Sequence, residues 1–144
     1  TAPRAAVDGN GAFVVTWSSL GQDGDNFGIY AQLFDKTGGK SGTEFKVNAI
    51  TAGEQSRPAV AFLPNGNYVA AWQTVGEDEQ GFGIKSAQYK GNAQQALDWH
   101  VNTTFSADQN QPAMAGRFDN TWVVVWRSLG QDGAKGTVVA RIFQ

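Results

Sequence analysis

The sequence predicts an all-β fold built from three tandem four-stranded antiparallel repeats. Three observations point to it. One stretch returns three times without a gap: PRAAVDGNGAFVVTW from Pro3 to Trp17, PAVAFLPNGNYVAAW from Pro58 to Trp72, and PAMAGRFDNTWVVVW from Pro112 to Trp126. Each copy runs through Asn, Asp or Gly into a strand rich in β-branched and aromatic residues. No window carries helical periodicity; NAQQALDWH comes nearest and is about one turn long.

The elements follow in order. The first strand begins after the Pro, which cannot donate to a ladder and suits a strand start. DGNG, PNGN and FDN then read as tight turns, because Asn/Asp-Gly is a strong hairpin signal. The second strand is FVVTW, YVAAW or WVVVW. A Gly-rich loop leads to the third, GIYAQLF, GIKSAQY or GTVVARIF, in which Ile29, Ala31 and Leu33 alternate with Tyr30, Gln32 and Phe34. A short fourth strand appears as Glu44 to Asn48 and as Asp98 to Asn102. The chain reads as one repeat domain, 1–144, with repeats 1–57, 58–111 and 112–144, the last lacking its fourth strand.

A consecutive meander of this length has the size of one β-propeller blade. Trp17, Trp72 and Trp126 are then equivalent, buried positions in the layers between blades. Two closed three-fold architectures compete, the β-trefoil and the β-prism. Three blades alone leave apolar faces and an unpaired edge, which predicts a homo-oligomer or a larger partner that completes the ring.

Composition narrows the function. A net charge of −2 with no basic run removes the electrostatic basis for nucleic-acid binding. No apolar run approaches the length of a membrane-spanning helix, so no membrane insertion is expected. The chain has no Cys, which excludes thiol chemistry and disulfides.

The runs PAVAFLPNGNYVAAW, GQDGDNFGIYAQLFD, GTEFKVN and TAGEQSRP resemble tandem repeats of large secreted bacterial proteins, of the RTX or adhesin-like kind. Their layout is also similar to sialidase-type propeller repeats. The resemblance covers nearly the whole chain and implies a secreted or cell-surface location. It does not imply sialidase chemistry: the Asp-box is absent, and Arg4, Arg57, Arg117, Arg127 and Arg141 show no match in sequence context to that family's arginines.

The loop after each Trp is the most distinctive feature. It carries Asp23 and Asp25 in the first copy, Glu77, Asp78 and Glu79 in the second, and Asp132 in the third. Crowded hard oxygens on a Gly-rich turn suit Ca²⁺, which takes about six to eight of them. The same residues suit Asx-stabilised hairpin loops. Gln22, Asn26, Tyr30 and Gln131 are candidate sugar-binding groups near these loops. Gln22, Asn26 and Tyr30 superficially resemble the monocot-lectin mannose motif, but its Asp and Val fall on Gly24 and Gly28. His100, the only His, lacks a catalytic partner at known spacing and reads as structural. These signals predict a non-catalytic binding, adhesion or assembly module with a glycan or protein ligand. A lectin is one alternative, and a fragment of a glycosidase-type propeller is a second.

Overall fold

The computed structural model describes residues 1–76, 81–96, 98–130 and 135–144. Its strands form three successive antiparallel sheets. Blade 1 comprises β1 (Arg4–Val7), β2 (Phe13–Leu20), β3 (Phe27–Phe34) and β4 (Lys40–Lys46). Blade 2 comprises β5 (Gln55–Phe62), β6 (Tyr68–Val75), β7 (Phe82–Lys90), β8 (Ala93–Gln94) and β9 (Trp99–His100). Blade 3 comprises β10 (Gln109–Gly116), β11 (Trp122–Ser128) and β12 (Thr137–Phe143). Each sheet is a meander in sequence order, so the fold is propeller-like and not a trefoil or prism.

The turns form as their residues dictate. Asp8 Oδ1 accepts the Asn10 and Ala12 amides at 2.8 and 2.9 Å, and Asp119 Oδ1 accepts that of Thr121 at 3.1 Å. Gly11, Gly66 and Asn120 are repeat equivalents, and all three hold positive φ. Asn tolerates that conformation where most side chains do not.

Two elements differ from expectation. The inner strands of blades 2 and 3 begin before their Pro, at Gln55 and Gln109. Pro58 and Pro112 instead sit at bulges, where the register shifts between Ser56 and Ala59 and between Asn110 and Ala113. A bulge lets the ladder pass a residue that has no N–H. The fourth strand also differs. In blade 1 it starts at Lys40, and in blade 2 it is split into β8 and β9, both paired to β7.

The core lies between the sheets. Val14, Ile29, Ala31 and Val47 of blade 1 join Tyr68, Ala70, Trp72, Ala87 and Tyr89 of blade 2 in one apolar cluster. Val69, Ala71, Ile84 and Val101, from the other face of blade 2, join Trp122, Val124 and Trp126 of blade 3 in a second. Alternation on β6 therefore serves two interfaces, and Tyr68 through Thr74 are all buried. Each large side chain so covered contributes about 1.5–3 kcal/mol.

A repeated polar staple joins each blade to the next. Asn48 Oδ1 accepts the Ile29 amide at 2.7 Å, and its Nδ2 donates to the Ile50 carbonyl at 2.6 Å and to Gln55 Oε1 at 3.1 Å. Asn102 accepts the Ile84 amide at 2.8 Å and donates to the Thr104 carbonyl at 2.9 Å. Gln109, the equivalent of Gln55, accepts the Trp126 indole N–H at 2.9 Å. Both Asn side chains are buried, where an unbonded amide would be costly.

The three Trp residues are not alike. Trp72 is fully buried and Trp126 is 5% exposed, whereas Trp17 is half-buried. Trp17 stacks on Tyr30, but no described sheet lies over its outer side. Trp72→Ala is expected to cost about 3–5 kcal/mol in chemical denaturation, and Trp17→Ala clearly less. Burial also pushes the Tyr68 and Tyr89 hydroxyls above their ordinary value of 10.0, with the Asp98 charge adding to the effect on Tyr89. In the unfolded chain these groups ionise near pH 10, while the fold keeps them neutral. The unfolded state then binds fewer protons, so stability falls as pH rises past 10. Denaturation midpoints measured from about pH 9 to 11 should show that fall, and Tyr68→Phe should reduce its slope.

Candidate functional site

The inner strands converge. β5 lies against β1 on one side and against β10 on the other. At the end of the molecule that carries the blade-to-blade connections, they border an open cavity of about 740 Å³. Arg4, Ser18, Phe27, Glu54, Ser56, Arg57 and Gln111 contribute to its wall. The three residues that precede the repeat prolines, Ala2, Arg57 and Gln111, all line it, and all have positive φ, at 49°, 50° and 56°. A non-Gly residue held there is strained, and such strain clusters at binding and catalytic sites. The repeat thus brings one special backbone position to the cavity three times. Arg57 and Gln111 fill two of these positions with donor side chains.

The cavity combines unlike groups. Arg4 donates to the adjacent Pro3 carbonyl at 2.9 Å, and neither Arg4 nor Arg57 has an ion pair with a described residue. Two guanidiniums offer forked donors to oxygen atoms. Glu54 is the one carboxylate side chain among the described lining residues, and Phe27 supplies an aromatic face.

The loop residues singled out from sequence lie apart from one another. Gln22 donates to the Glu44 carboxylate at the surface. Asp25 Oδ2 accepts the Gly53 amide at 3.2 Å, tying the loop to the chain that enters blade 2. Gly53 is required there, since a Cβ would run into the Val75 carbonyl and φ is +81°. Both Asp23 oxygens are buried without a hydrogen-bond partner among the described residues, directly beneath Gly28. Asn26 is exposed. Tyr30 is buried, so its ring is not open to a sugar; burial first, then the Asp23 and Glu44 charges, raise its hydroxyl pKa. Glu77, Asp78, Glu79, Gln131 and Asp132 lie outside the described residues. Among the described residues no three His, Cys, Asp or Glu side chains are gathered as a metal would require. His100 sits edge-on to Phe105, with centroids 5.3 Å apart.

Sequence reasoning missed Arg4, Glu54, Arg57 and Gln111 as a group. The signal was present in the residues flanking each repeat Pro, but only adjacent inner strands turn that shared position into one wall.

No family model and no curated protein matches the chain. Solved structures do. An endo-arabinase from Bacteroides thetaiotaomicron VPI-5482 superposes with a TM-score of 0.64 at 15% identity, over 99% of this chain and 55% of that one. The fold is that of the glycoside hydrolase propellers. An endo-1,4-beta-xylanase from the same organism gives 0.62 at 12% identity over 99% and 58%, and a thermostable family-43 glycoside hydrolase 0.59 at 12% over 98% and 53%. The chain spans about half the length of these structures.

These matches correct the expectation that the chain is not an enzyme. The solved structures that share this architecture are glycoside hydrolases, so the propeller layout gives no ground for excluding an enzyme. The misreading has a physical reason: the residues that share the cavity come from separate blades and leave no contiguous motif. The propeller layout holds, while the RTX and adhesin-like resemblance finds no counterpart in these matches.

Relief of the positive-φ strain in Arg57→Gly and Gln111→Gly should raise stability by up to about 1 kcal/mol each. The Ala variants, which keep the strain, should give no gain. Denaturant midpoints of the parent and the four variants provide the measurement.

Proposed function

We propose that this chain forms the carbohydrate-binding portion of a glycosidase-type propeller, with the sugar held in the axial cavity. The observation that carries the reading is the convergence of Arg4, Arg57, Gln111, Glu54 and Phe27 at the mouth of three adjacent inner strands. Guanidinium and amide groups donate to sugar hydroxyl oxygens, a carboxylate accepts from sugar O–H groups, and an aromatic ring covers the apolar face of a pyranose or furanose. The fold shared with the arabinase and the xylanase supports the choice of carbohydrate over other polar ligands.

Glycoside hydrolysis ordinarily needs two carboxyl groups flanking the scissile bond, one to protonate the leaving oxygen and one to attack or activate water. Glu54 is assigned as one of that pair. The second comes from outside the described lining of the cavity.

Titration calorimetry with arabino- and xylo-oligosaccharides should give saturable binding. Arg57→Ala should weaken it by about tenfold or more, since a charge-assisted hydrogen bond is lost. Reducing-sugar release from arabinan or xylan, where seen, should disappear in Glu54→Gln. Absence of binding to both sugar series would overturn the reading.

A further inference from the structure

The charge of the axial cavity runs against that of the chain. The sequence carries a formal net charge of −2. The described lining of the cavity sets two arginines, Arg4 and Arg57, against one carboxylate side chain, Glu54. Ser18, Ser56, Phe27 and Gln111 add hydroxyls, a ring and an amide, but no further charge. A cleft lined by an excess of one sign focuses its field on ligands of the other.

Both guanidiniums keep open donors. Among the described residues Arg57 makes no side-chain hydrogen bond and no ion pair, and Glu54, just ahead of it in the chain, does not pair with it. Arg4 gives one donor to the Pro3 carbonyl at 2.9 Å, and a guanidinium has more donors than that oxygen can use. Other arginines are held by the protein itself. Arg117 lies 3.5 Å from the Asp119 carboxylate and donates to Thr121 Oγ1 at 3.0 Å. Arg141 donates to the Val101 carbonyl at 3.1 Å and lies over the Phe143 ring. The place of Arg57 is set within blades 1 to 3, because β5 lies between β1 and β10 and the backbone there is held at a φ of 50°.

We propose that the cavity selects an acidic sugar, with the carboxylate of a hexuronate unit held by Arg57 and Arg4. The inference rests on the carbohydrate reading of this cavity and names the substrate class within it. A neutral hydroxyl accepts from a guanidinium but leaves its charge uncompensated. A carboxylate accepts a pair of parallel N–H···O bonds from the guanidinium fork and neutralises it. Gln111, the serine hydroxyls and Phe27 serve the hydroxyls and apolar face of the same or a neighbouring ring. Glu54 repels the ligand carboxylate, and like-charge repulsion fixes register. The acidic unit therefore lies toward the arginines, and a neighbouring unit faces Glu54.

Titration calorimetry of the chain with a galacturonate oligosaccharide, its methyl ester and a xylo-oligosaccharide of equal length tests it. The ester keeps the shape of the acid and removes its charge. The free acid should bind about tenfold or more tighter than the ester, and added salt should narrow that gap. Arg4→Gln and Arg57→Gln each keep an amide donor and remove a charge at an exposed position, so the variants should keep the parent's circular dichroism. Each should narrow the ratio of acid to ester affinity, and the double substitution should abolish it. Equal affinity for acid and ester, or an acid preference that survives the double substitution, would overturn the inference and leave the carbohydrate reading standing. Displacement of the acid by inorganic phosphate at equal concentration would also overturn it, as the mark of a plain anion site. Absence of binding by every saccharide would overturn both readings.

Discussion

Each sheet in this molecule is apolar on both faces, and that constraint organises the rest. A sheet with one wet face needs one neighbour; these need two. Blade 2 meets the requirement fully. Along β6, Tyr68, Ala70 and Trp72 face one neighbour, while Val69 and Ala71 face the other. The alternation of large and small residues lets adjacent sheets interlock. At Gly116 the approach is so close that a Cβ would meet the Phe62 carbonyl. Ala70 and Ala71 are small because sheets press on both sides of the same strand.

Covering every sheet in turn brings the connections between blades into the core, and their polar groups need partners there. Asn48 and Asn102 supply them. Each amide closes the end of the third strand with its oxygen and holds the departing chain with its nitrogen. Gln55 and Gln109 extend the arrangement into the next inner strand. The Val-Asn and Gln-x-x-Pro elements of the repeat are therefore two parts of one staple, and the staple aims each inner strand along its neighbour. The cavity follows from this geometry. The residue just before each proline has a positive φ and reaches the same space from three blades, so a structural repeat carries three different side chains, Ala2, Arg57 and Gln111, to one place.

Much of the fold was legible in the residues. The meander, the turn chemistry at Asp8 and Asp119, the three blades and the burial of Trp72 and Trp126 follow from period-two alternation, turn residues and equal spacing, all of which are local properties. The misplaced inner-strand starts have a local cause as well: a Pro looks like a strand boundary unless the bulge that accommodates it is known. The loops drew attention to Asp23, Asp25 and Tyr30 because acidic and aromatic residues stand close together in sequence. In space they serve different ends, with Asp25 bracing a connection and Tyr30 buried on Trp17.

By itself the sequence determined the repeat, the strand order within each blade and the complementary character of the two faces of every second strand. Those features depend on residues a few positions apart, where chain geometry leaves little freedom. The tertiary structure alone decided that Trp17 stays half-open while its equivalents are sealed, because burial depends on which neighbour arrives and not on the residue. It alone decided that Arg4, Glu54, Arg57 and Gln111 share a cavity. These residues are scattered from the first strand to the third blade, and no spacing along the chain encodes their convergence.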